Sequence, residues 1–109
     1  MGGRVTHIGQ TAVIFVSART RGDAEGYAAA AAMMEEQVVL QPGYCGSHSA
    51  RGPDGVGITV SYWKDDAAAR AWRAHAEHGA VRAQGRARWY DWYKIIVATV
   101  TREHGWTGA

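Results

Sequence analysis

The run from Gly57 to His78 constrains the fold more than any other part of the chain. Ile58, Val60 and Tyr62 alternate with Thr59, Ser61 and Trp63, the two-residue period of a strand whose faces meet different surroundings. Asp65 and Asp66 come next. A carboxylate at that point satisfies free N–H groups and suits the positive end of a helix dipole, so a helix is predicted over Ala67 to His78. On that helix Ala68, Ala71, Trp72 and His75 form one narrow stripe, opposite Asp66, Arg70, Arg73 and Glu77. His75 is therefore expected inside the fold, one turn from Trp72, with His78 at the edge of the stripe.

The other elements can be placed around this pair. Ala12-Val13-Ile14-Phe15-Val16, within Thr11 to Ser17, is an apolar run of strand length, as suits a strand covered on both faces. Asp23 is a good N-cap for a helix reaching about Val38, whose inner stripe is Tyr27, Ala30, Ala31, Met34 and Val38. Gln41-Pro42-Gly43 breaks the chain, Tyr44 to Arg51 reads as a strand, and Gly52-Pro53-Asp54-Gly55 turns it into the Gly57 strand. A short helix is expected from Ala80 to Trp89, and a last strand from Tyr93 to Arg102. The first ten residues, with a solvated His7, and the last seven are expected to be loose. The order is β-α-β-β-α-β, the ferredoxin-like α+β arrangement of an antiparallel sheet with two helices on one face. Because Val13 to Val16 and Ile95 to Val100 are apolar on both sides, a second copy is expected to cover the bare face, giving a homodimer packed sheet against sheet.

At 109 residues the chain makes one domain, with a core over about 11–102. A net charge of +2 without a basic run gives no reason to expect nucleic acid. No apolar stretch approaches a membrane span and no signal sequence opens the chain, so no membrane is expected. One Cys rules out an internal disulfide and fits a reducing, cytoplasmic setting. No nucleotide-binding glycine motif, convincing metal cluster or Cys pair is present, so no metal is expected. Cys45 reads as an inert thiol, on the opposite strand face from His48, which argues against a Cys–His dyad.

Ile58-Thr59-Val60-Ser61-Tyr62-Trp63, then Trp72, His75 and His78, then Gln84-Gly85-Arg86 and Trp89-Tyr90, together resemble the antibiotic biosynthesis monooxygenase family. Val13 to Ser17 and Gln41 to Tyr44 fit its first strand and its helix-to-strand turn, so the likeness runs from about Thr11 to Arg102. The resemblance implies a dimeric α+β barrel with a pocket in each subunit between sheet and helices. It also implies oxidation of aromatic substrates by O2 without metal or flavin. A related branch binds and degrades haem, and there a helix Trp follows the strand-ending Trp by nine residues, as Trp72 follows Trp63. That branch also uses a first-strand Asn and a later His, whereas this chain has no Asn and its histidines come earlier.

Candidate site residues follow. His75 and His78 are the candidate catalytic groups, as acid, base or hydrogen-bond donor. Trp72, Tyr27, Met34, Trp63, Trp89 and Tyr93 are candidate substrate contacts. Trp72 reads equally as plain core or as pocket wall, and the group Trp89, Tyr90, Trp92 and Tyr93 as ligand wall or as packing. Three functions are open. One is a cofactor-independent monooxygenase acting on a quinol- or anthrone-like substrate. The others are a haem-binding or haem-degrading protein and a non-catalytic small-molecule binder.

Overall fold

A computed structural model describes residues 6–77 and 88–108. The elements are β1 (Thr11–Arg19), α1 (Ala24–Val38), β2 (Tyr44–Arg51), β3 (Val56–Trp63), α2 (Asp66–Glu77) and β4 (Tyr90–Thr99). The four strands make one sheet in the order β2-β3-β1-β4, and every neighbouring pair is antiparallel. This is the ferredoxin-like α+β fold that the strand and helix periods predict.

Register sorts the side chains into two faces, because residues directly opposite each other in an antiparallel ladder point the same way. Val13 pairs with Ser61 and Val97, and Thr11 with Trp63 and Thr99, so these lie on one face with Phe15 and Ser17. Ile14 pairs with Val60 and Ile96, and Val16 with Ile58 and Lys94, on the other face. The first face carries the helices. There Trp63 is fully buried, and the small side chains of Ala68 and Ala69 let α2 settle directly onto it, with Val13, Val38, Tyr44 and Trp72 around them. Gly43 makes this approach possible. Its φ of +82° favours glycine, and a Cβ there would stand 2.7 Å from the Ala68 methyl.

Asp65 caps α2, its Oδ1 accepting from the Ala68 N–H at 2.8 Å, and Asp23 caps α1 by accepting from Gly26. Both caps stand where the sequence predicts them. Three expectations need correction. β4 begins and ends three residues early, at Tyr90 and Thr99 rather than Tyr93 and Arg102, because β1 continues to Arg19. Arg19 pairs with Tyr90 across an irregularity after Ala18. Thr6 and His7 are not part of a loose arm: Glu103 accepts from the Thr6 hydroxyl and the His7 N–H, and the His7 ring stacks on Tyr62 at 3.8 Å. Finally, a register shift between Tyr44 and Gly46 breaks the alternation along β2, so strand parity cannot relate Cys45 to His48. The Cys45 thiol instead donates to the Gly43 carbonyl, and His48 meets the edge of Tyr62. The expected helix from Ala80 lies outside the described residues, apart from a last turn at Arg88 and Trp89.

Candidate functional site

The aromatic side chains of the helix-bearing face gather at its two ends. At one end the indoles of Trp63 and Trp72 stack at 5.9 Å between centroids, and the His75 ring continues the stack at 5.5 Å. Tyr44 closes the far side, edge-on to Trp63. The Trp63 indole N–H donates to the Ser61 hydroxyl, so this buried ring has its polar group satisfied.

His75 is not inside the fold. Its ring is exposed, and Nε2 lies 3.1 Å from the Gln37 Oε1 of α1. The cause is a rotation of α2 relative to the stripe read from sequence. Ala68, Ala69, Trp72 and Ala76 face inward, while Ala71 and His75 are exposed. Six alanines among its twelve residues leave the apolar face of this helix poorly marked, and contact with Trp63 decides its rotation. His75 therefore stands at the solvent end of an indole stack, held by Gln37.

The second group lies near the start of α1. Tyr27 is edge-on to Trp89 and to Tyr90, and Phe15 contacts both Tyr90 and Tyr93. Trp89 is buried and donates through Nε1 to Asp23 at 2.9 Å. That hydrogen bond, more than the nearby Arg88, holds the Asp23 carboxyl below the usual carboxylate range, against a smaller opposing effect of desolvation. Burial pushes the Tyr90 hydroxyl well above the usual phenol range, and Tyr27 adds to the shift while Arg51 and Arg19 oppose it. Tyr90 is thus a neutral donor at any physiological pH.

Helix α1 connects the two groups, with Tyr27 in the second and Val38 packed against the first. Three turns separate those residues, roughly 15 Å along the axis. Between them α1 is loosely seated. None of its residues is buried, and Met34 is 37% exposed. Among the described residues the open, largely apolar middle of α1, with an aromatic group at each end, is thus the candidate substrate groove. A cavity of about 280 Å³ adjoins Trp72 on the flank of α2, between the α2 N-terminal turn and Gln41-Pro42. Of the candidate site residues, only Trp72 lines it.

The structure thus brings Trp63, Trp72 and His75 together, and Tyr27, Trp89 and Tyr93 together, but it separates the two sets. Met34 belongs to neither. His78 lies outside the described residues. Sequence reasoning missed Gln37, Arg19, Arg51 and the buried Ser17. The signal was available for Arg19, which shares strand parity with Val13, Phe15 and Ser17 and so was due on the helix-bearing face. Among the described residues His75 does not offer haem a free Nε2, which is turned to Gln37. No group of three or more His, Cys, Asp or Glu side chains able to hold a metal ion occurs among the described residues.

Comparison with known proteins places this architecture. A model described as antibiotic biosynthesis monooxygenase matches residues 11–84. The uncharacterized protein YqjZ of Bacillus subtilis (strain 168) is 45% identical over 92 residues, spanning 84% of this chain and 80% of that protein. Among solved structures, SnoaB, a cofactor-independent oxygenase from Streptomyces nogalater, superposes with a TM-score of 0.70 at 16% identity, covering 86% of this chain and 95% of that one. PA3566 from Pseudomonas aeruginosa superposes with a TM-score of 0.68 at 13% identity, covering 90% and 100%. At such identities the structural likeness speaks for the fold.

Proposed function

This chain belongs to the antibiotic biosynthesis monooxygenase family, and from that premise we propose that it is a small oxygenase that oxidises an aromatic quinol- or anthrone-like substrate with O2 and needs no resident cofactor. The observation that carries the reading is the Trp63–Trp72–His75 stack at the end of the apolar groove. The open edge of such a stack suits a flat aromatic substrate. An imidazole beside it can take a proton as a general base.

The chemistry asks little of the protein. Removing a proton from the ring carbon flanked by the aromatic system leaves a carbanion. The carbanion reduces O2 and bonds to it as a peroxide anion, which takes the proton back to become a hydroperoxide and then loses water to leave a carbonyl. The protein supplies an apolar binding surface and a group that accepts the first proton. His75 fills that role at the rim of the groove, where its contact with Gln37 orients the ring. Its exposure replaces the desolvated base expected from sequence, so the substrate itself must exclude water as it packs against the open edge of the stack.

A second copy of the chain is the proposed partner, covering the outer face of the sheet. Ile58 and Ile96 on that face are 47% and 41% exposed. No helix among the described residues is long and apolar enough to cross a membrane, and one unpaired Cys suits a cytoplasmic setting.

Oxygen uptake tests the function. Quinol- and anthrone-type substrates should consume O2 in the presence of chelator and without added flavin. His75→Ala should lower turnover by roughly 10²–10⁴-fold, the usual loss for a general base, while His78→Ala costs less. Full activity in His75→Ala, a strict need for added metal or flavin, or a Soret shift on adding hemin would each refute the proposal.

A further inference from the structure

Two arginines converge on one phenol at the end of the groove away from His75. The Arg19 guanidinium lies 3.9 Å from the Tyr27 ring centroid, and that of Arg51 lies 5.8 Å from it. Arg51 donates through Nη2 to the Tyr27 hydroxyl at 3.3 Å and to the hydroxyl of fully buried Ser17 at 2.8 Å. Through Nη1 it donates to the carbonyls of Ser17 and Gly55. Arg19 donates through Nη1 to the Trp89 carbonyl at 2.7 Å.

Every one of these acceptors is neutral. Among the described residues neither Arg19 nor Arg51 stands within ion-pair distance of a carboxylate, whereas Arg70 pairs with Asp66 and Arg88 with Asp23. Two like charges held against one ring repel each other. A strapping role explains the bonds of Arg51 to Ser17 and Gly55, which tie the end of the β2–β3 hairpin to β1. It does not explain a second guanidinium on the same ring with no acid beside either. The Nε–H of Arg51, and the Nε–H and Nη2 donors of Arg19, have no protein acceptor among the described residues. The surrounding wall is aromatic, made by Tyr90, Phe15 and Tyr93.

We infer that Arg19, Arg51 and Tyr27 form a carboxylate-binding subsite, and that the substrate is an aromatic acid held by its carboxylate at this end of the groove. A guanidinium fork matches a carboxylate in shape as well as in charge, and it binds more strongly where apolar walls thin the water around it. The acid neutralises the paired charges, and its aromatic body lies along α1 toward Trp72. The inference rests on the oxygenase reading for the identity of the groove, but binding tests it without turnover.

The probes are 2-naphthoate and its neutral analogue 2-naphthamide, titrated against the protein by calorimetry at neutral pH without turnover substrate. Naphthoate should bind about tenfold or more tightly than the amide, the scale of one charge-assisted contact. That margin should shrink as salt rises. Arg19→Gln should abolish the preference by weakening naphthoate at least tenfold more than the amide, and Arg19→Lys should restore part of it. Arg51→Gln should act likewise, with its melting temperature measured in parallel because Arg51 also ties down Ser17. Equal affinity for the two probes, no binding of naphthoate, or equal weakening of both by Arg19→Gln would overturn the inference. If the acid preference fails while quinols still drive O2 uptake, only the subsite falls. If the preference holds and no quinol drives uptake, only the oxygenase reading falls.

Discussion

Asp23 sits in the left-handed region, with φ 51° and ψ 52°, which few residues other than glycine adopt easily. Its side chain accounts for its presence there. One oxygen accepts from the Gly26 N–H at the start of α1, and the other accepts from the indole N–H of Trp89. One residue thus joins α1 to the approach to β4. Its folded-state pKa is lowered from 3.8, chiefly by the Trp89 bond. The stability this contributes is therefore present above that value and is lost as pH falls through the lower folded-state pKa. Melting temperatures measured from pH 6 down to pH 2 should show this acid-side loss in the wild type. Asp23→Asn should flatten it, and an unchanged profile would show that the carboxylate is not what ties Trp89. At the same scale, the cap was legible because Asp before an apolar period has a local cause. The bond to Trp89 was not, since 66 residues separate the two and only folding brings them together.

Helix α2 shows what periodicity can and cannot decide. Its start and length follow from Asp65 and the twelve residues behind it. Its rotation does not, because alanine is compatible with either face. The contact of Ala68 and Ala69 with Trp63 turns His75 outward. That contact depends on Gly43, whose backbone passes against Ala68 and whose carbonyl accepts from the Lys64 N–H at 2.8 Å. Gly43→Ala should destabilise the fold by about 2 kcal/mol or more, through a strained φ and an overpacked contact together. Gly9→Ala is the comparison. Gly9 has a φ of +86° but no atom near its Cβ position, so its cost should be near ~1 kcal/mol, from conformation alone. Urea midpoints of the two variants measure the difference, and equal losses would mean that the Ala68 contact carries no weight.

On the whole molecule, the outer face of the sheet exposes Ile58, Ile96 and Trp92, and Ile14, Val16 and Val60 line it as well. Burying such a face against a second copy releases about 25 cal/mol per Å² of apolar surface. Obligate dimers commonly bury roughly 2,000 Å² or more. Sedimentation at micromolar concentration should show a dimer. Ile96→Lys should shift it toward monomer by placing a charge in the centre of the interface, next to Lys94. A wild-type monomer under these conditions would remove the sheet-to-sheet arrangement, and the groove beneath α1 would stand without it.

Strand alternation over Ile58–Trp63, the two aspartate caps and the glycine-containing turns act within a few residues of one another. For that reason the sequence alone determined the order of elements and the α+β class. Tertiary structure decided everything that depends on a contact between distant segments. It set the rotation of α2, the length gained by β4 opposite Arg19, and the docking of His7 on Tyr62. It also gathered Arg19 from β1, Tyr27 from α1 and Arg51 from β2 around one ring. No local pattern links those three residues, because a guanidinium on a strand end looks the same in sequence whether it meets solvent or a phenol. Packing alone makes the difference, since it sets which polar groups lose water and must find partners in one another.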